Sequence, residues 1–99
     1  MTEKEEDDFA AEIQEMMDSI EGRDVGQKRF QMYEVLRKAV EKEYEIADKE
    51  LPGPESRVTE LKDVNGYSYK LVQDFLTSSS TLEKERKLEK LIEHLKSRI

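Results

Sequence analysis

The sequence predicts an all-α fold: a small antiparallel bundle of four helices, or of three helices with an N-terminal helical arm. Apolar residues recur at steps of three and four through four segments, near 8–21, 25–50, 56–76 and 81–97. Capping residues, prolines and a polar loop separate these segments, and short connections favour antiparallel neighbours. Because the helical spacing continues through most of the chain, we expect helices to build the core.

Length and composition predict one folded domain over residues 7–99, after an acidic tail, residues 1–6, that we expect to be disordered. The chain is 41% charged, but Leu, Ile, Val and Phe make up 23 of its 99 residues, above the fraction typical of unfolded chains. The lack of cysteine excludes disulfides and thiolate metal sites. The apolar runs are too short for a membrane span, and the acidic start is unlike a signal peptide, so we expect a cytoplasmic protein.

The first helix is predicted to start at Asp7 or Asp8 and to end before Gly22. Acidic residues at its start suit the helix dipole, whereas Asp18 and Glu21 at its end do not. The helix is therefore expected to depend on packing. Its apolar face contains Phe9, Ile13, Met16, Met17 and Ile20.

The second helix is predicted to begin with a capping box of Asp24 and Gln27 and to stop at Pro52-Gly53-Pro54. Two adjacent apolar rows give it a wide face, as expected of a central helix that packs on more than one neighbour. The main row contains Phe30, Tyr33, Leu36, Val40, Tyr44, Ala47 and Leu51, and the second row contains Met32, Val35, Ala39 and Ile46.

The third segment contains an Asn65-Gly66 pair, which leaves two interpretations open. Asn-Gly is typical of a two-residue hairpin turn, which would pair residues 61–64 with residues 67–69. We favour a continuous or kinked helix, because the apolar spacing continues across the pair and a lone hairpin is marginally stable. The apolar row contains Val58, Leu61, Val64, Tyr67, Leu71 and Phe75.

The last helix is predicted to start at Ser80, which forms a second capping box with Glu83. Its basic residues alternate with glutamates, which is typical of a solvated helix face and not of a phosphate-binding strip. Its apolar row contains Leu82, Leu88, Leu91, Ile92, Leu95 and Ile99. From the four helices we expect a core of Leu36, Val40, Tyr44, Leu61, Leu71, Val72, Phe75, Leu88, Leu91 and Leu95.

Charge is the strongest functional feature of the sequence. Residues 1–24 contain ten acids and two bases, a balance of −8, whereas the remaining 75 residues sum to +1. A local field of that sign attracts basic partners and repels nucleic-acid backbones and anionic lipid. We therefore predict a non-catalytic protein–protein interaction module, a regulator, adaptor, inhibitor or immunity-type protein, that binds a basic surface through its first helix. The predicted partner-binding residues are Asp8, Glu12, Glu15 and Asp18, which steer the partner, and Phe9, Ile13, Met16 and Met17, which anchor it.

An enzyme or a metalloprotein is not expected. None of the common nucleotide, nucleophile or metal motifs occurs in the sequence, and carboxylate pairs arise by chance among 24 acids. The single histidine, His94, has no second histidine to complete a metal site or a proton relay. We expect no catalytic residue, no cofactor and no metal.

Three alternatives stay open. In the first alternative, the acidic segment acts as a nucleic-acid mimic that blocks a DNA- or RNA-binding protein. The acids of this chain are confined to one segment, whereas a mimic of duplex would need them along a whole face. In the second alternative, the chain is a structural subunit of a homo-oligomer, such as a homodimer, and the wide apolar face of the second helix forms the contact between subunits. In the third alternative the first helix is simply the fourth helix of the bundle, with its acids facing water or neutralised by Arg57, Lys62 or Lys84.

Overall fold

Five α-helices make up the computed structural model, which describes residues 2–98 and the side chains of residues 8–98. The helices are α1 (Thr2–Asp18), α2 (Val25–Ile46), α3 (Arg57–Val64), α4 (Gly66–Thr77) and α5 (Thr81–Lys96). Residues 2–98 contain no strand, so the all-α class is confirmed. Within that range no helix has the length and apolar character needed to cross a membrane.

The first helix begins earlier and ends earlier than the apolar spacing predicts. It starts at Thr2, so residues 2–6, where we expected a tail, belong to α1. Acidic residues favour a helix N-terminus, which accounts for the early start, and Asp8 lies inside α1 and not at its N-cap. The side chain of Asp7, and all of Met1 and Ile99, lie outside the described residues. After Asp18 the chain turns, and Gly22 adopts the left-handed conformation at φ +83°.

The predicted cap of α2 is confirmed. The Asp24 carboxylate accepts a hydrogen bond from the Gln27 amide at 2.9 Å. The helix ends at Ile46, before the predicted limit near residue 50, because Asp48 adopts a left-handed backbone at φ 56° and the Lys49 amide donates to the Tyr44 carbonyl at 2.9 Å. The connection to α3 then contains the two prolines.

Asn65 divides the third predicted segment into two helices. Its extended backbone ends α3, where its amide donates to the Leu61 carbonyl at 2.8 Å. Its side chain caps α4 by accepting a hydrogen bond from the Ser68 amide, also at 2.8 Å. The hairpin interpretation was therefore wrong, and the favoured helical interpretation holds with a break at Asn65 in place of a continuous helix.

The core lies between α2, α3, α4 and α5, and α1 packs on α2. All ten predicted core residues are buried. The structure adds Ile13, Ile20, Met32, Val35, Ala39 and Ile92. Part of the predicted α2 row is not covered, since Phe30 is 68% exposed and Tyr33 and Leu51 are exposed as well. Leu51 lies in the connection after α2, and the Tyr33 ring, although partly exposed, packs edge-on against Phe75 with the ring centres 5.4 Å apart.

Three charged residues are buried, Lys42, Glu43 and Lys84, and the last two form hydrogen bonds within the core. The carboxylate of Glu43 accepts hydrogen bonds from the Ser68 hydroxyl and the Arg98 guanidinium. The ammonium of Lys84 donates to the Phe75 carbonyl at 2.8 Å and lies 4.9 Å from the centre of the Phe75 ring. Among the described side chains, each buried polar atom has a hydrogen-bond partner, which makes their burial tolerable.

Candidate interaction surface

The first helix is held on α2 by apolar and charged contacts. Ile13 and Ile20 are almost completely buried in the core. The Glu12 carboxylate lies 2.9 Å from the Lys38 ammonium, and the Lys42 ammonium lies 5.0 Å from the centre of the Phe9 ring. These contacts make α1 a packed part of the fold in the described structure.

The predicted anchoring residues of α1 face the protein's own core. Ile13 has no exposed surface, and Phe9, Met16 and Met17 are partly buried against the core residues. Ile13 can therefore contact a partner only if α1 leaves α2. Phe9 and Met17 each also line a groove that is open to solvent.

The predicted steering residues Asp8, Glu12, Glu15 and Asp18 are all exposed. Glu12 is neutralised in part by Lys38, and the Asp18 carboxylate accepts a hydrogen bond from the Gln14 side chain at 3.0 Å. These four acidic side chains of α1 therefore lie on the solvent side of the helix, as expected for a surface that steers a partner.

A groove of about 290 Å³ lies between α1, the turn that follows it, and α5; we call it the acidic groove. It is lined by Gln14, Met17, Asp18, Glu21, Glu85, Glu89, Ile92, Glu93 and Lys96. Five of these side chains are carboxylates, and the one cation, Lys96, donates to the Gln14 side-chain oxygen at 2.8 Å. Apolar surface from Met17 and Ile92 lies among the charges. The groove can therefore bind a cationic group that carries an apolar stem.

Sequence reasoning missed the α5 half of this groove. Glu85, Glu89 and Glu93 recur every four residues, which places them on one stripe of the helix. Arg86, Lys87 and Lys90 line a different depression on α5 together with Glu83, so these three bases lie away from the stripe of Glu85, Glu89 and Glu93. The spacing of four was a signal for an acidic stripe, but only the packing shows that this stripe faces α1.

The cations expected to neutralise α1 have other partners. Arg57 lies 3.2 Å from Glu41 of α2, and Lys84 is buried beside Phe75. Lys62 is exposed on α3 and forms no ion pair with α1 among the described side chains. That part of the third alternative was wrong, since Lys38 is the residue that pairs with Glu12.

The described residues contain no group of three potential metal ligands. His94 lies 3.3 Å from the Asn65 side-chain oxygen, and its ring packs edge-on against Tyr67. These neighbours position the imidazole at the α4–α5 contact and include no carboxylate or nucleophile with which it could form a catalytic pair.

Sequence and structural comparisons add no further information about the surface. The chain matches no protein-family model, no curated protein and no solved structure.

Proposed function

We propose that this chain is a non-catalytic interaction module, an antiparallel helical bundle that binds a basic segment of a partner protein on the acidic surface of α1 and α5. The observation that supports the proposal best is the acidic groove, where five carboxylates and one lysine surround exposed apolar atoms. A regulator, adaptor or inhibitor that works by covering a partner's surface needs such a site and needs no catalytic group.

The chemistry of the groove suits lysine or arginine side chains. Each of these has an apolar stem and a cationic head. Carboxylates of Asp18, Glu89 and Glu93 would bind the head, while Met17 and Ile92 contact the stem. Complementary charge raises the association rate more than the final affinity, so binding should depend strongly on ionic strength.

In this proposal α1 stays on α2 while the partner binds. Releasing α1 would expose Ile13 and Ile20 and leave their positions in the core empty. Steering is then the role of Glu15 and Asp18, with Asp8 and Glu12 nearer the other end of the helix. The apolar contact comes from Met17.

The test uses a defined probe, a fluorescent peptide that alternates lysine and leucine, with an uncharged glutamine version as its reference. Binding is measured by anisotropy at low and high salt. A groove variant carries Asp18→Asn, Glu89→Gln and Glu93→Gln. Its control carries Glu50→Gln, Glu60→Gln and Asp63→Asn, which remove the same charge from exposed positions outside the groove.

We expect the wild-type chain to bind the basic peptide and not the uncharged one. The groove variant should bind about tenfold more weakly, since three exposed charge contacts together are worth about 1.4 kcal/mol. The control variant should bind almost as the wild type does. Equal losses in the two variants would show that only net charge matters, and this would overturn the groove as the site.

A further inference from the structure

The two sides of α2 are used differently. Lys38 and Lys42 contact side chains of α1, and Gln31 contacts Ser19, the residue that follows α1. At 3.6 residues per turn these three positions lie on one side of the helix. Phe30 and Tyr33, by contrast, are 68% and 43% exposed and lie on the other side, away from α1. The acidic helix therefore does not cover the apolar residues that α2 exposes.

A second groove, of about 230 Å³, begins beside Tyr33; we call it the α2–α3 groove. It is lined by Tyr33, Leu36, Arg37, Val40, Pro54, Arg57 and Val58. Apart from the two arginines these side chains are apolar or aromatic. Its volume is sufficient for an aromatic ring, since an apolar cavity of about 150 Å³ binds benzene.

Phe30 does not line this groove, and Val40 at its far end lies ten residues further along α2, about 15 Å along the axis and about 80° around it. The ring of Phe30 therefore cannot reach that end of its own groove. In an antiparallel pair of α2 helices centred between residues 35 and 36, position 30 of one copy lies opposite position 41 of the other. That register places each Phe30 opposite Glu41 of the second copy, whose carboxylate pairs with Arg37 and Arg57 in the lining of the groove, and the two-fold axis repeats this contact in the other copy.

The charges at the groove match the same register. Arg37 lies 3.2 Å from Glu34 and 3.3 Å from Glu41, and Arg57 lies 3.2 Å from Glu41. The charges of these two acids and two arginines cancel. The rim of the groove therefore favours neither a strongly acidic nor a strongly basic partner. The antiparallel register puts Glu34 opposite Arg37 of the second copy, and Arg37 opposite Glu34. This face is thus complementary to itself in charge.

We propose that a second copy of this chain docks on this face, with α2 antiparallel to α2 and each Phe30 ring in the α2–α3 groove of the other copy. The acidic α1 helices lie on the opposite side of each α2, so their repulsion acts across the width of the dimer. The proposal is independent of the acidic groove, which stays open in both copies.

The test measures molar mass by sedimentation velocity over a wide range of protein concentration. The wild-type mass should rise from 11.6 kDa toward twice that value. Phe30→Ala should weaken the dimer by roughly thirtyfold, because a buried aromatic anchor commonly contributes 2 kcal/mol or more. Leu82→Ala is the matched control, since Leu82 is 58% exposed at the start of α5 and should leave dimerisation unchanged.

A charge exchange tests the register. Glu34→Arg alone and Arg37→Glu alone each place like charges opposite one another and should weaken the dimer, whereas the double variant should recover most of the lost affinity. Circular dichroism shows whether each variant keeps its fold. A chain that stays monomeric at all concentrations overturns the proposal and leaves the face to a different partner. A dimer that is indifferent to Phe30→Ala and to the exchange also overturns it, because its interface would lie elsewhere.

Discussion

The guanidinium of Arg98 binds the carboxylate of Glu43, which lies in the middle of α2 and has no exposed surface. The Ser68 hydroxyl donates to the same carboxylate. Three elements, α2, α4 and the residues after α5, therefore meet at one buried charge. A buried carboxylate is tolerated only while its partners are present, so this contact makes the core depend on a residue beyond the last helix.

The first prediction concerns that pair. Arg98→Ala should lower the free energy of unfolding by about 3–5 kcal/mol, because it leaves Glu43 buried and without its counter-charge. Urea denaturation followed by circular dichroism measures the change. The double variant Glu43→Met/Arg98→Met should recover most of the loss, since apolar side chains of similar volume often replace a buried ion pair without cost. If the double variant is no more stable than Arg98→Ala, the unpaired charge of Glu43 is not the cause of the lost stability.

The second prediction concerns the packing of α1. Ile13→Ala should lower the free energy of unfolding by about 2–5 kcal/mol, because it removes a fully buried side chain and leaves a cavity. Leu82→Ala, at an exposed position, should change it by about 0.5 kcal/mol or less. A chain that starts at Gly22 should also lose helicity and melt at a lower temperature. An unchanged melting temperature in that shorter chain would show that α1 contributes nothing to the core.

The third prediction concerns alkaline pH. Burial raises the pKa of the Tyr44 hydroxyl above its usual value of 10.0, and the charges of Glu60 and Asp63 raise it further. The hydroxyl donates to the Arg57 carbonyl. A pKa that is higher in the folded chain than in the unfolded chain stabilises the fold. This stabilisation is complete below the pKa of the unfolded tyrosine, and it is lost as the pH rises through the pKa of the folded tyrosine.

Tyr44→Phe should therefore cost about 1 kcal/mol at neutral pH, and its deficit relative to the wild type should shrink above pH 10. Urea denaturation of both chains at neutral pH and above pH 10 measures that difference. A difference that stays constant across the range would mean that Tyr44 titrates alike in the folded and unfolded chains.

The fourth prediction concerns the junction of α3 and α4. Asn65→Ala removes the cap of α4 and should cost about 1 kcal/mol of stability. Ser80→Ala removes the equivalent cap of α5, where the Ser80 hydroxyl accepts a hydrogen bond from the Glu83 amide at 3.1 Å. Asn65→Ala should cost more stability than Ser80→Ala, because the side-chain oxygen of Asn65 also contacts His94. Asn65→Asp, which keeps the cap, should restore most of the stability, and thermal melting compares the three variants.

Local sequence patterns predicted much of this fold. The caps at Asp24 and Ser80 depend on contacts within one helical turn, so a few neighbouring residues determine them. The burial of Leu61, Phe75 and Leu88 follows from apolar spacing in the same way. The break at Asn65 was harder to predict, because an apolar row continues across it and only the capping geometry shows that two helices meet there.

The acidic groove, by contrast, could not be predicted from local sequence patterns. The sequence showed the charge of α1, but the glutamates of α5 became part of the same surface only because α5 packs beside α1. In the same way, the apolar row of α2 did not reveal that Phe30 is exposed, since burial depends on which side of a helix its neighbours reach.

The sequence by itself determined the all-helical class, the caps that begin α2 and α5, and the concentration of negative charge near the N-terminus, since each of these depends on residues within a few positions of one another. Tertiary structure alone decided that Glu43 is buried with Arg98, that α1 packs its apolar row against α2, and that two glutamate-bearing helices border one groove. The reason is physical: burial and ion pairing across dozens of residues depend on how helices pack, and helical periodicity specifies which faces are apolar without specifying which faces meet.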